Sequence, residues 1–86
     1  MEILDFNANK KNAIQKKFFE VIKYFGYKYF RLYGRMKRLY FFKDRFSAMN
    51  TECKDWLRVG AKCFTMYELD GIINFEDLNL KAIYRF

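Results

Sequence analysis

Apolar residues recur along this chain with two different periods, and the switches between them mark out its elements. Ile3, Leu4 and Phe6 cluster around Asp5 and read as a brief strand over 3–6. Further on, Ile14, Phe18, Val21, Ile22 and Phe25 follow one another at i, i+4, i+7, i+8 and i+11, which is one face of an α-helix. Asn7 or Asn9 can cap that helix, and Gly26 is a natural stop for it near Phe25. Lys10, Lys11, Lys16, Lys17, Glu20 and Lys23 fall largely off the apolar face.

After Gly26 the period drops to two, and Tyr27–Phe42 reads as a β-hairpin. Gly34-Arg35 suits a two-residue type II′ loop, with glycine first. That loop would pair Tyr33 with Met36, Arg31 with Arg38 and Tyr29 with Tyr40. Lys28, Phe30, Leu32, Lys37, Leu39 and Phe41 then share one face, suited to covering the helix. Tyr27, Tyr29, Arg31, Tyr33, Met36, Arg38, Tyr40 and Phe42 share the other, which reads as open to water. A helix over 35–48 competes for the second half of this segment, because Met36, Leu39, Tyr40, Phe46 and Met49 also keep a helical spacing.

Thr51 suits the cap of a second, short helix anchored by Trp56 and Leu57 and ended by Gly60. Ala61–Leu69 reads as a strand, Asp70-Gly71 as a hairpin turn leading to a partner over 72–75, and 78–86 as a last strand. The expected fold is α+β: a single domain over 1–86 in the order (β)αββαββ. Its antiparallel sheet would carry one long N-terminal helix and one short helix. The arrangement overlaps with that of RRM-type RNA-binding domains in element order alone. Leu39 stands where the RRM third-strand pattern has glycine, and no family membership is read from it.

Composition removes whole classes of chemistry. There is no histidine and no proline, and Ser47 is the only serine. Ser-His-Asp and Cys-His catalysis, histidine-ligated zinc and a histidine pH switch are therefore excluded. Two sulfurs do not complete a structural zinc site without a second chain, and Cys53 and Cys63 read as reduced, partly buried thiols in preference to a disulfide. Asp44 with Glu52-x-Lys54 loosely matches a metal-nuclease pattern, but Glu52 is better explained as an acid in the first turn of a helix. No catalytic residue, metal or cofactor is expected, and the chain does not read as an enzyme. The start, Met1–Phe6, lacks the basic and apolar regions of a secretory signal, so the expectation is a cytoplasmic protein with no membrane partner.

Charge supplies the functional reading. The net charge is +7, and twelve of the seventeen basic residues lie between Lys10 and Arg45, where Glu20 and Asp44 are the only acids. Ten of the nineteen aromatic residues fall between Tyr24 and Phe46. Cations neutralise phosphates and flat rings stack on bases, so this interleaving suits nucleic acid, single strands or RNA above all. Lys16, Lys17, Arg31, Arg35, Lys37 and Arg38 are the candidate phosphate contacts, and Tyr29, Tyr33 and Tyr40 the candidate stacking rings. The rival reading is a phage or mobile-element inhibitor, anti-CRISPR-like, that binds a host nucleic-acid-processing complex. It rests on the small, histidine-free, lysine- and asparagine-rich character of the chain. Exposed tyrosines would also suit a homodimer.

Overall fold

Asn12 opens the first helix, α1 (Ala13–Tyr24), through a reciprocal capping box. Its side chain accepts from the Gln15 amide at 2.8 Å, and the Gln15 side chain accepts from the Asn12 amide at 3.2 Å. The structure is a computed structural model that describes residues 1–6, 12–34 and 37–86, with Cys53 described by its backbone alone. The expected caps Asn7 and Asn9, together with Lys10, Lys11, Arg35 and Met36, lie outside the described residues. The helix is twelve residues long, shorter than its apolar pattern suggests.

One face of α1 is used differently from the expectation. Phe19 and Ile22 are buried and Phe18 is half-buried, whereas Ile14, Val21 and Phe25 stay exposed. At about 100° per residue, Ile14 and Phe19 stand about 140° apart around the helix. That apolar arc is wider than one sheet covers, and the sheet takes its Phe18–Phe19–Ile22 side.

The sheet has five strands: β1 (Glu2–Asp5), β2 (Tyr29–Tyr33), β3 (Arg38–Phe42), β4 (Lys62–Thr65) and β5 (Ala82–Arg85), in the spatial order β1-β5-β2-β3-β4. It is mixed rather than purely antiparallel, because β1 runs parallel to β5. Tyr29 faces Phe42, Arg31 faces Tyr40 and Tyr33 faces Arg38, a register displaced by two residues from the one a Gly34-Arg35 loop would set. The connection occupies 34–37, with the Lys37 amide donating to the Gly34 carbonyl at 3.3 Å. An even displacement leaves the paired residues of β2 and β3 on their expected faces. It also separates Arg31 from Arg38, two like charges that direct opposition would set against each other.

A second helix, α2 (Arg45–Asn50), follows β3 directly. Asp44 caps it, accepting from the Ser47 amide at 2.8 Å and the Ser47 hydroxyl at 2.9 Å. The helix expected after Thr51 is only a 3₁₀ turn over Cys53–Asp55, leaving Trp56 half-buried and Leu57 exposed. The hairpin expected at Asp70-Gly71 does not form either. Residues 66–81 instead cross the α1 side of the sheet to reach β5, burying Leu69 and Ile73 on the way. Gln15 ties this crossing to α1, its side-chain amide donating to the Ile72 carbonyl at 2.8 Å.

Two cores result, one on each face. Beneath α1, Phe19, Phe30, Phe41, Tyr84 and Phe86 pack around one another, with Phe30 stacked on Tyr84 at 5.0 Å. On the opposite face, Tyr40, Phe42 and Ile83 pack against Ala48 of α2 and Ala61. Fully burying a side chain the size of Phe or Leu contributes about 1.5–3 kcal/mol, so in a chain this short both faces must be used. Among the described residues, no helix is long and apolar enough to cross a membrane.

Candidate nucleic-acid interface

The sheet face expected to meet nucleic acid is roofed by α2. Tyr40 is 1 % exposed, stacked on Trp56 at 5.6 Å and edge-on to Tyr33 at 4.8 Å, so it cannot stack on a base in this fold. Tyr29 and Tyr33 are half-buried in the same cluster. The Tyr33 hydroxyl donates to the Thr51 carbonyl just beyond α2. Arg31 is half-buried too, and its Nη1 donates to the Ala48 carbonyl at 3.3 Å, while its guanidinium carbon lies 4.6 Å from the Tyr33 ring centre. The last carbonyls of a helix lack intrahelical donors, and a cation is the natural partner for them. Arg31 and Tyr33 thus hold α2 onto the sheet. The Arg31 Nε is buried without a partner among the described residues, a cost the clamp carries.

The other expected contacts that the structure describes come from separate elements. Lys16 and Lys17 are exposed on α1, and Arg35 lies outside the described residues. Lys37 is exposed beside the hairpin connection, and Arg38 is half-buried at the start of β3. Arg38 and Lys43 bracket β3, so their backbones stand roughly 16 Å apart at about 3.3 Å per residue.

A different set of cations and rings gathers at the other end of the sheet, where α1 stops. Gly26, at φ +96°, ends the helix in a Schellman arrangement: its amide donates to the Lys23 carbonyl at 2.9 Å and the Tyr27 amide to the Ile22 carbonyl at 3.3 Å. These bonds satisfy carbonyls that would otherwise repel an anion. They also turn the chain so that Tyr24 (85 % exposed) and Phe25 (61 % exposed) project, their rings edge-on at 5.4 Å. Lys28 follows at once, its amide bonded to the Phe42 carbonyl, and the Lys43 stem lies 3.9 Å from where a Gly26 Cβ would stand. Lys62 opens the neighbouring β4 opposite Phe41.

Between α1 and β4 this end holds a groove of about 460 Å³. Its walls are Val21, Ile22, Phe25, Tyr27 and Phe64, and its two cations are Lys43 and Lys62. The Lys43 Nζ sits 5.4 Å from the Tyr27 ring centre and the Lys62 Nζ 5.5 Å from that of Phe64. Among the described residues, none of Lys23, Lys28, Lys43 and Lys62 takes part in an ion pair.

The sequence pattern did not single out Lys43, Lys62, Tyr24, Phe25 or Tyr27: strand alternation drew attention to Tyr29, Tyr33 and Tyr40, Tyr24 and Phe25 fell in the helix, and Lys62 lies beyond the basic stretch 10–45. The signal was present in the run Lys23-Tyr24-Phe25-Gly26-Tyr27-Lys28, where a helix stop sits between rings and lysines. The loosely nuclease-like residues are otherwise engaged, Asp44 as the α2 cap and Glu52 in an exposed pair with Lys54 at 3.5 Å. No family model, curated protein or solved structure matches this chain.

Proposed function

We propose that this protein binds nucleic acid without catalysing a reaction, and that it does so through the end of the sheet where α1 stops. One observation carries the reading. Lys23, Lys28, Lys43 and Lys62, none of them ion-paired among the described residues, stem from the same end as the exposed rings of Tyr24 and Phe25. Unpaired lysines beside exposed rings form the surface that phosphates and bases require together. The strand face with Arg31, Tyr33 and Tyr40 has no part in it, because α2 occupies that face.

Fluorescence anisotropy with a labelled oligonucleotide, titrated across salt concentrations, tests the reading. Four phosphate contacts at about −0.7 each predict a log–log slope near −3. Undetectable binding, or binding indifferent to salt, overturns it.

A further inference from the structure

Resting on that reading, we infer that the groove between α1 and β4 takes one unpaired nucleobase of a single strand, with Lys43 and Lys62 holding the phosphates on either side of it. Three features of the groove point to this occupant. Its walls carry three aromatic rings, from Phe25, Tyr27 and Phe64, so a flat heterocycle meets ring faces and edges where a paired, stacked base could not enter. Its volume, about 460 Å³, lies within the range of sites that enclose small ligands, about 300–1,000 Å³. Its cations stand at the rim on two different elements, Lys43 after β3 and Lys62 at the start of β4, each resting on a ring of the wall. An apolar cleft with separate positive charges on its margin is complementary to a base flanked by backbone phosphates.

The inner walls of the cleft, Ile22, Tyr27 and Phe64, belong to the core or pack against it, and the outer wall, Val21 and Phe25, stands clear of it. Phe25 is 61 % exposed and Val21 47 % exposed, whereas the rings that hold α1 down, Phe19 at 3 % and Phe41 at 0 %, are sealed beneath it. Removing the Phe25 ring is therefore expected to leave the fold intact, so the site can be tested in the folded protein.

The experiment compares oligo(dT) with a hairpin duplex of equal length, for the wild type, Phe25→Ala and Lys43→Gln, with thermal unfolding as the control for folding. Stacking lost from one base predicts that Phe25→Ala weakens oligo(dT) binding about 5- to 150-fold at an unchanged salt slope. Lys43→Gln weakens it and makes the slope shallower by about 0.7. Duplex binding is weaker than oligo(dT) binding in the wild type and indifferent to Phe25→Ala. Equal affinity for both nucleic acids, with Phe25→Ala altering neither, overturns the base site while leaving nucleic-acid binding standing. An uncharged-backbone competitor is expected to displace oligo(dT) poorly, and displacement by an acidic peptide as readily as by unlabelled oligo(dT) overturns the choice of occupant. No binding to either nucleic acid overturns this inference together with the reading beneath it.

Discussion

Arg31 sits in the middle of a central strand, donating from Nη1 to the Ala48 carbonyl while its guanidinium lies against the Tyr33 ring. A hydrogen bond from a charged group contributes about 1.5–3 kcal/mol, from which the unpartnered, buried Nε subtracts. Arg31→Met keeps the apolar stem and removes the clamp, so urea unfolding is expected to show a loss of about 1–2 kcal/mol. Tyr33→Phe removes the hydroxyl that donates to the Thr51 carbonyl and is expected to cost about 1 kcal/mol. Neither substitution should change oligonucleotide affinity by more than about twofold, since both side chains serve α2. A large loss of binding in either variant, with the fold intact, would return the site to the strand face.

The first helix divides its apolar residues between two tasks. Phe19 is buried against Phe6, Phe30 and Phe86, and Phe19→Ala is expected to cost about 3–5 kcal/mol. Phe25 lies on the exposed flank, and Phe25→Ala should alter stability by no more than about 0.5 kcal/mol. Chemical denaturation of the two variants, side by side, checks the division. Gly26 gives the helix its end: at φ +96° a side chain is strained, and Gly26→Ala is expected to lose about 1–2 kcal/mol and to displace Tyr27 from the groove. The turn after β4 depends on pH instead. Glu68 accepts from the Thr65 amide at 2.9 Å, and the Thr65 hydroxyl accepts from the Glu68 amide at 3.2 Å. The Thr65 amide is the main reason the Glu68 carboxyl titrates below its ordinary value, with the Thr65 hydroxyl second and the charges of Lys62 and Arg38 adding to them. A lowered carboxyl favours the folded turn when ionised, so the box holds above the ordinary carboxylate range and is lost as pH falls through the depressed value. An NMR titration should show the Thr65 amide shift following Glu68 protonation.

Across the whole molecule, the sheet carries a core on each face, with Lys43 and Lys62 toward one end of its strands and Lys37 at the other. That partition predicts how binding responds to charge removal. Lys43→Gln and Lys62→Gln should each reduce the salt slope by about 0.7, whereas Lys37→Gln, at the opposite end of β3, should leave it unchanged. Anisotropy titrations of the three variants decide it, and equal losses from all three would indicate diffuse attraction to net charge rather than a site.

Much of this architecture is written in local pattern. The helix stop at Gly26, the hairpin with its two faces, and the concentration of cations and rings before residue 46 all follow from residues close together in sequence, whose steric and periodic preferences need no partner. The exclusion of histidine chemistry is equally direct. What depended on distant contacts was which of those faces meets water. A six-residue helix is too short to announce itself by periodicity, yet α2 folds back over the sheet and converts Tyr40 and Arg31 from surface to support. The breadth of the α1 apolar arc left its buried side open until the sheet beneath it was in place, and the side passed over, at Val21 and Phe25, became the wall of the groove. Burial is a property of what lies opposite a residue, and the facing element here comes from another part of the chain.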